Sequence, residues 1–161
     1  MLRKLLLMLG LCCTFAFSAH AQDKAELFGG YSYLHVTNSP SFSQNGWEIS
    51  GQYKFADWIG AVADFDQHYG SGVTTTTYLF GPQVSWPARV SPFGHLELGG
   101  AHASSGPFHT SSFSLALGGG IDTKLIPYLS WRIFQADYLM TQFGGGTQNN
   151  FRFSTGVVIH F

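Results

Sequence analysis

The chain has 161 residues, of which 11% are charged and 16% aromatic, with 20 glycines and 15 phenylalanines. The aromatic content excludes a disordered chain, and a net charge of −1 with no Lys/Arg cluster beyond the N-terminus speaks against nucleic-acid binding. A soluble domain carries about 25% charge, so this chain has roughly half the usual supply for a wetted surface.

Residues 1–21, MLRKLLLMLGLCCTFAFSAHA, place a basic pair (Arg3, Lys4) before an apolar run from Leu5 to Phe17 and an Ala19-His20-Ala21 cleavage signal. The run is shorter than the ~20 residues of a bilayer-spanning helix, so a cleaved signal peptide is expected rather than a retained anchor. A lipid attachment at Cys12 would want a small residue before it, and Leu11 stands there. Both cysteines fall inside this leader, so the exported chain, 22–161, has none and needs no disulfide. Six Lys/Arg against nine Asp/Glu then give it a net charge of −3.

After the leader no segment keeps a helical apolar period, whereas alternation recurs eight times. Glu26 to Val36 is the first strand. In the second, Trp47, Ile49, Gly51, Tyr53 and Phe55 oppose Glu48, Ser50, Gln52 and Lys54. In the third, Ile59, Ala61, Ala63 and Phe65 oppose Val62, Asp64 and Asp66. Thr76 to Trp86 is the fourth, with Pro82 removing one ladder donor. Leu96 and Leu98 alternate with His95 and Glu97 in the fifth. Phe113, Leu115, Leu117 and Ile121 alternate with Ser112, Ser114, Ala116 and Asp122 in the sixth. Tyr128 to Thr141 forms the seventh, where a slip around Arg132 suggests a bulge. The eighth sets Phe151, Phe153, Thr155, Val157, Ile159 and Phe161 against Asn150, Arg152, Ser154 and His160.

Connections near Ala56-Asp57, Pro87 to Ser91 and Leu125 to Pro127 read as tight. Those at Thr37–Asn45, Gln67–Thr75, Ala103–Ser111 and Gln142–Asn149 read as long, neutral loops. The expected fold is all-β, an eight-stranded antiparallel up-and-down barrel with long loops at one end only.

Two barrels fit such a chain: a soluble cup with an apolar interior, or a membrane barrel with an apolar exterior. Glu48, Gln52, Lys54, Asp64, Gln83, Glu97, Asp122 and Arg152 share one face and would line a lipid-binding cup poorly. The opposite face puts Trp47, Phe80, Phe113, Tyr138 and Phe151 towards the long loops. Tyr53, Phe55, Trp58, Trp86, Phe93, Trp131 and Phe161 fall towards the tight turns, with aliphatic residues between. Two aromatic belts around an aliphatic band suit a bilayer, and a closed barrel pairs every backbone group, as hydrocarbon demands. A transmembrane barrel is the reading that follows.

The ordered set GGYSYL (Gly29 to Leu34), GWEISGQYKF (Gly46 to Phe55), VADF (Val62 to Phe65), LFGP (Leu79 to Pro82), GGGID (Gly118 to Asp122) and ADYLMT (Ala136 to Thr141), with a terminal aromatic strand, resembles the outer membrane protein beta-barrel domain family. These are the small OmpA/OmpX-type barrels of Gram-negative envelopes, and the resemblance covers essentially all of residues 22–161. It implies residence in the outer membrane, contact with its lipid, and reading of the C-terminal strand by the barrel assembly machinery. Phe161, Ile159, Val157 and Phe153 match that alternating signal, and Thr155 departs from it. The chain departs from the longer family members by ending at its eighth strand, so no periplasmic peptidoglycan-binding domain is expected to follow.

For the interior, buried charges need partners, so a polar network is expected from Glu48, Lys54, Asp64, Glu97, Asp137 and Arg152, centred on Arg152 with Glu97 and Asp137. Its reading is a structural plug, with an ion or proton pathway as the alternative. His109-Thr110-Ser111 offers a histidine–serine pair for outer-leaflet lipid A chemistry, but the next acid, Asp122, is about 3.3 Å × 13 residues away along the same strand. His35, His68, His102 and His109 lie in or near the long loops and read as surface residues without ligand-spaced partners. Gly118–Gly120 and Gly144–Gly146 precede no helix and hold no phosphate. The first triplet reads as a site of strand curvature, the second as a loop tip. No cofactor or metal is expected. The function expected is structural or surface-interacting and non-catalytic, with a narrow passive pore or a lipid A-modifying enzyme as alternatives.

Overall fold

A computed structural model describes residues 24–37, 41–143 and 146–161, so the proposed leader at 1–21 lies outside the described residues. Alternation is the cause of everything that follows. When side chains point by turns into lipid and into a lumen, each strand is locked to one parity, and a slip of one residue would invert both faces. Eight such strands run β1 (Ala25–Val36), β2 (Phe42–Ala56), β3 (Ile59–Gly70), β4 (Val73–Ser85), β5 (Val90–Ser105), β6 (Phe108–Ile126), β7 (Leu129–Phe143) and β8 (Gly146–His160). Each pairs antiparallel with the next, and β8 pairs with β1 to close the barrel. Ala25 and Phe161 exchange both backbone hydrogen bonds at the seam, so no open edge remains at that end.

The long loops expected at 67–75, 103–111 and 142–149 are not there. β3 and β4 are joined by Ser71-Gly72 alone, both at positive φ (52° and 73°), as a hairpin turn with the strands' own twist requires. β5 and β6 are joined by Gly106-Pro107, β7 ends and β8 begins on either side of 144–145, and only 37–41 and 86–89 separate consecutive strands by more than two residues. The strands hold 12 to 19 residues, whereas a tilted membrane crossing takes about 9–11. The surplus stands beyond the bilayer as paired hairpins. The end opposite the termini is here called the far end.

Bulges occur where parity slips. Arg132 and Gln135 both point inward while Ile133 and Phe134 are both exposed, and the β7–β8 register shifts between Arg132 and Gln135. The bulge sets the Arg132 carbonyl where the Thr155 hydroxyl donates to it at 2.9 Å. Thr155, which departs from the apolar pattern of its strand, thus serves the bulge. Pro82 sits within β4, and pairing with β5 resumes at Gln83↔His95 in unchanged register.

The exterior carries Trp47, Phe80, Phe113, Tyr138, Phe151, Tyr53, Phe55, Trp58, Trp86, Trp131 and Phe161, all exposed. Phe93 is a correction. It is 8% exposed and lies inside the barrel, because it shares parity with His95 and Glu97, not with Leu96 and Leu98.

Candidate functional site

The middle of the lumen is filled by polar and charged side chains. At its centre Arg152 on β8 is fully buried. Its Nε donates to Asp137 Oδ2 at 2.8 Å, one Nη to Asp64 Oδ2 at 2.9 Å, and the other to Asp66. Glu48 Oε2 stands 3.7 Å from Nε. Four carboxylates from β2, β3 and β7 therefore converge on one guanidinium, whose forked donors suit several acceptors at once. Gln135 ties two of them together, donating to Glu48 Oε1 at 3.0 Å and Asp137 Oδ2 at 2.8 Å. The Ser154 hydroxyl lies 2.5 Å from Glu48 Oε2 and 2.9 Å from Ser32 Oγ, which also meets His68 Nε2 at 2.9 Å.

Of the residues expected in this network, Glu48, Asp64, Asp137 and Arg152 come together. Glu97 does not reach Arg152. It is fully buried, neither carboxylate oxygen has a hydrogen-bond partner among the described residues, and His95 Nδ1 stands 3.6 Å from Oε1. His95 Nε2 in turn meets Asp137 Oδ1 at 2.8 Å. Lys54 belongs elsewhere, paired with Glu26 at the termini end, where His160 Nδ1 also meets Glu26 at 3.0 Å. Strand parity gives the direction of these side chains but not their depth, which the barrel's stagger sets. Lys54 and Arg152 share no partner, so their losses should add. Melting of Lys54→Met, Arg152→Met and the double variant should show coupling within about 0.5 kcal/mol, and a larger coupling energy would mean one network rather than two.

Sequence reasoning missed a second cationic centre. Arg132, swung inward at the bulge, grips Asp122 with Nε (2.8 Å) and Nη2 (3.0 Å) and donates from Nη1 to Gln135 Oε1 at 2.7 Å. Its guanidinium carbon lies 4.3 Å from the Phe28 ring centroid and 4.1 Å from that of Phe93. A delocalised, weakly hydrated cation suits such an aromatic slot better than an ammonium would. The signal was the parity of Phe28 and Phe93 on their own strands.

His68 is another correction. Expected at the surface, it is fully buried, with Nδ1 3.1 Å from Asp66 Oδ1. His102 and Ser111 do meet, at 2.9 Å across the β5–β6 ladder on the outer wall, while His109 stacks on His102. Thus His102, not His109, faces the hydroxyl, and the 99–121 hairpin contains no carboxylate to orient the imidazole. Among the described residues no group of three His, Cys, Asp or Glu is placed to hold a metal ion.

Above the charged centre, towards the far end, Leu34, Val36, Leu79, Ala116 and Leu139 form an apolar layer inside the barrel, with Phe42 packed on it. Of the C-terminal residues, Phe153, Val157 and Ile159 face outward and Phe161 closes the seam onto Ala25.

No protein-family model matches the chain, and no curated protein matches it. Solved structures do. Neisserial surface protein A superposes with a TM-score of 0.65 at 16% identity, covering 85% of this chain and 97% of its own. Ail, the attachment invasion locus protein of Yersinia pestis, gives 0.56 at 19% identity over 86% and 100%, and has also been crystallised with the heparin analogue sucrose octasulfate. The N-terminal β-barrel domain of Pseudomonas aeruginosa OprF gives 0.57 at 12% identity over 88% and 100%. With its closed eight-strand ladder and apolar exterior, the chain is a small transmembrane β-barrel of the outer-membrane type.

Proposed function

We propose that this chain is a non-conducting, non-catalytic barrel of the outer membrane whose far-end hairpins act at the cell surface on uncharged partners. The observation that carries the reading is the charge distribution. Residues 31–47, 67–79, 99–121 and 138–151 contain no Asp, Glu, Lys or Arg, while the acids of the barrel lie in its lumen or at the termini end. Serine, threonine and glycine are the commonest residues that remain, with tyrosine, histidine and amide side chains among them, as in Tyr31–Asn45, Tyr33–Ser43 and Tyr138–Asn149. Such a surface recognises by hydrogen bonds and aromatic faces, not by charge. A polyanion of the kind seated on Ail would find no cation on these hairpins.

Conduction is opposed by layers in series: an apolar seal under the hairpins and the packed ion pairs beneath it. Reconstituted in a planar bilayer, the barrel should give no stepwise conductance; regular steps would replace this reading with the pore. Orientation has its own test, since residues 22–161 lack cysteine. A membrane-impermeant maleimide should label Ser105→Cys on intact cells and Arg89→Cys only after lysis, and the reverse pattern would overturn it. Phe153, Val157, Ile159 and Phe161 serve as the signal for the assembly machinery in this reading, with residues 1–21 as the export leader.

A further inference from the structure

The mouth at the termini end holds an open cavity of about 710 Å³, within the range of about 300–1,000 Å³ typical of ligand sites. Among the described residues, every Lys and Arg other than the two luminal arginines lines it: Lys24, Lys54, Arg89 and Lys124. They come from the approach to β1, the end of β2, the β4–β5 turn and the end of β6, so chain order scatters them and only barrel closure gathers them. Two of the three acids in the wall are already engaged, Glu26 by Lys54 and His160, and Asp122 by Arg132. With Arg132 behind Asp122, the formal balance of this mouth is +2 in a chain that is otherwise net negative. Neutral donors accompany the charge. The Ser85 hydroxyl lines the cavity, buried and without a hydrogen-bond partner among the described residues, and Gln83, Ser91 and Ser130 also line it, already bonded to Gln52, the Trp86 carbonyl and His160.

We infer that this mouth is a binding cup for an anion bearing phosphate groups. Several cations spread around a concave wall, interleaved with hydroxyl and amide donors, match an acceptor-rich oxyanion better than a single carboxylate. The anion stops there. Deeper in the lumen five acids, Glu48, Asp64, Asp66, Glu97 and Asp137, outnumber the one arginine among them, Arg152, a balance that disfavours an anion drawn in by the mouth. The two charge layers make a cup and not a conduit. The proposal uses the membrane reading above only to say that the cup opens towards the periplasm, where the phosphate is either that of a soluble ester or of an inner-leaflet phospholipid headgroup.

The test is calorimetric titration of the folded barrel, in zwitterionic detergent, with inorganic pyrophosphate at low and high ionic strength. One saturable site is expected, weakening as salt screens the charges. The triple variant Lys24→Gln/Arg89→Gln/Lys124→Gln, which leaves every luminal contact described above in place, should bind about tenfold or more weakly while melting as the parent does. No saturable binding, or equal binding by the triple variant, would overturn the cup. Repeating the titration in nanodiscs with and without phosphatidylglycerol separates the sources: competition assigns the headgroup, and its absence a soluble ester. Pyrophosphate bound by a barrel that fractionates away from the outer membrane would keep the cup and refute the location.

Discussion

Arg152→Met should be the most damaging single substitution in the lumen. The guanidinium is fully buried and touches Asp64, Asp66 and Asp137, with Glu48 beside it. A methionine fills much the same space but leaves four buried carboxylates facing one another without their cation. Breaking a buried pair by removing one partner costs about 3–5 kcal/mol, and for a domain of this size that corresponds to a fall in melting temperature of about 10–20 °C. The measurement is the temperature at which the unboiled protein loses its fast gel mobility. Arg152→Lys should be intermediate, since one ammonium keeps the charge but cannot fork towards four acceptors. Adding Asp64→Asn and Asp66→Asn to Arg152→Met should recover part of the loss by removing charge rather than by making a contact. If Arg152→Met melts with the parent, or the added amides make it worse, the guanidinium is not what holds the centre together.

Much of this barrel was legible because lipid and lumen impose opposite chemistry on alternate residues. The faces of β2, β3 and β8 can be read directly, down to which acids point inward. The hairpins could not be read in the same way. Near the far-end turns polar residues occupy both faces of a strand, so Thr74-Thr75 or Thr110-Ser111 lose their contrast and resemble loop sequence, although the backbone ladder runs on. His68 fell to the same effect, lying three residues before the Ser71-Gly72 turn yet pointing into the barrel. Which inward residues meet was hidden for another reason. Asp64 and Arg152 touch across the lumen at a depth set by the stagger of all eight strands, and no local pattern encodes it. Arg132 needed a third ingredient, the two-for-one bulge that reverses parity midway along β7.

The second large effect concerns glycine, and it contrasts two positions that look alike in sequence. Gly118→Val should destabilise the barrel severely, while Gly29→Val should be tolerated. Gly118 points into the lumen, and a Cβ there would run into the Asp137 carboxylate and the Ala136 carbonyl, with the Asp137 Cα only 2.7 Å away. Most of those atoms are backbone, which cannot rotate aside, and the one side chain involved is held by Arg152, His95 and Gln135. Overpacking of this kind costs about 1–3 kcal/mol on its own, and displacing Asp137 adds part of the loss expected for Arg152→Met. Gly29 faces outward with nothing within 4 Å of its would-be Cβ, where a β-branched side chain suits both strand and lipid. Urea unfolding of both variants in the same lipid decides it. The Gly118→Val loss should also shrink in an Arg152→Met background, because the two share Asp137. Equal losses at the two glycines would mean that the close approach of β6 and β7 is not what position 118 requires.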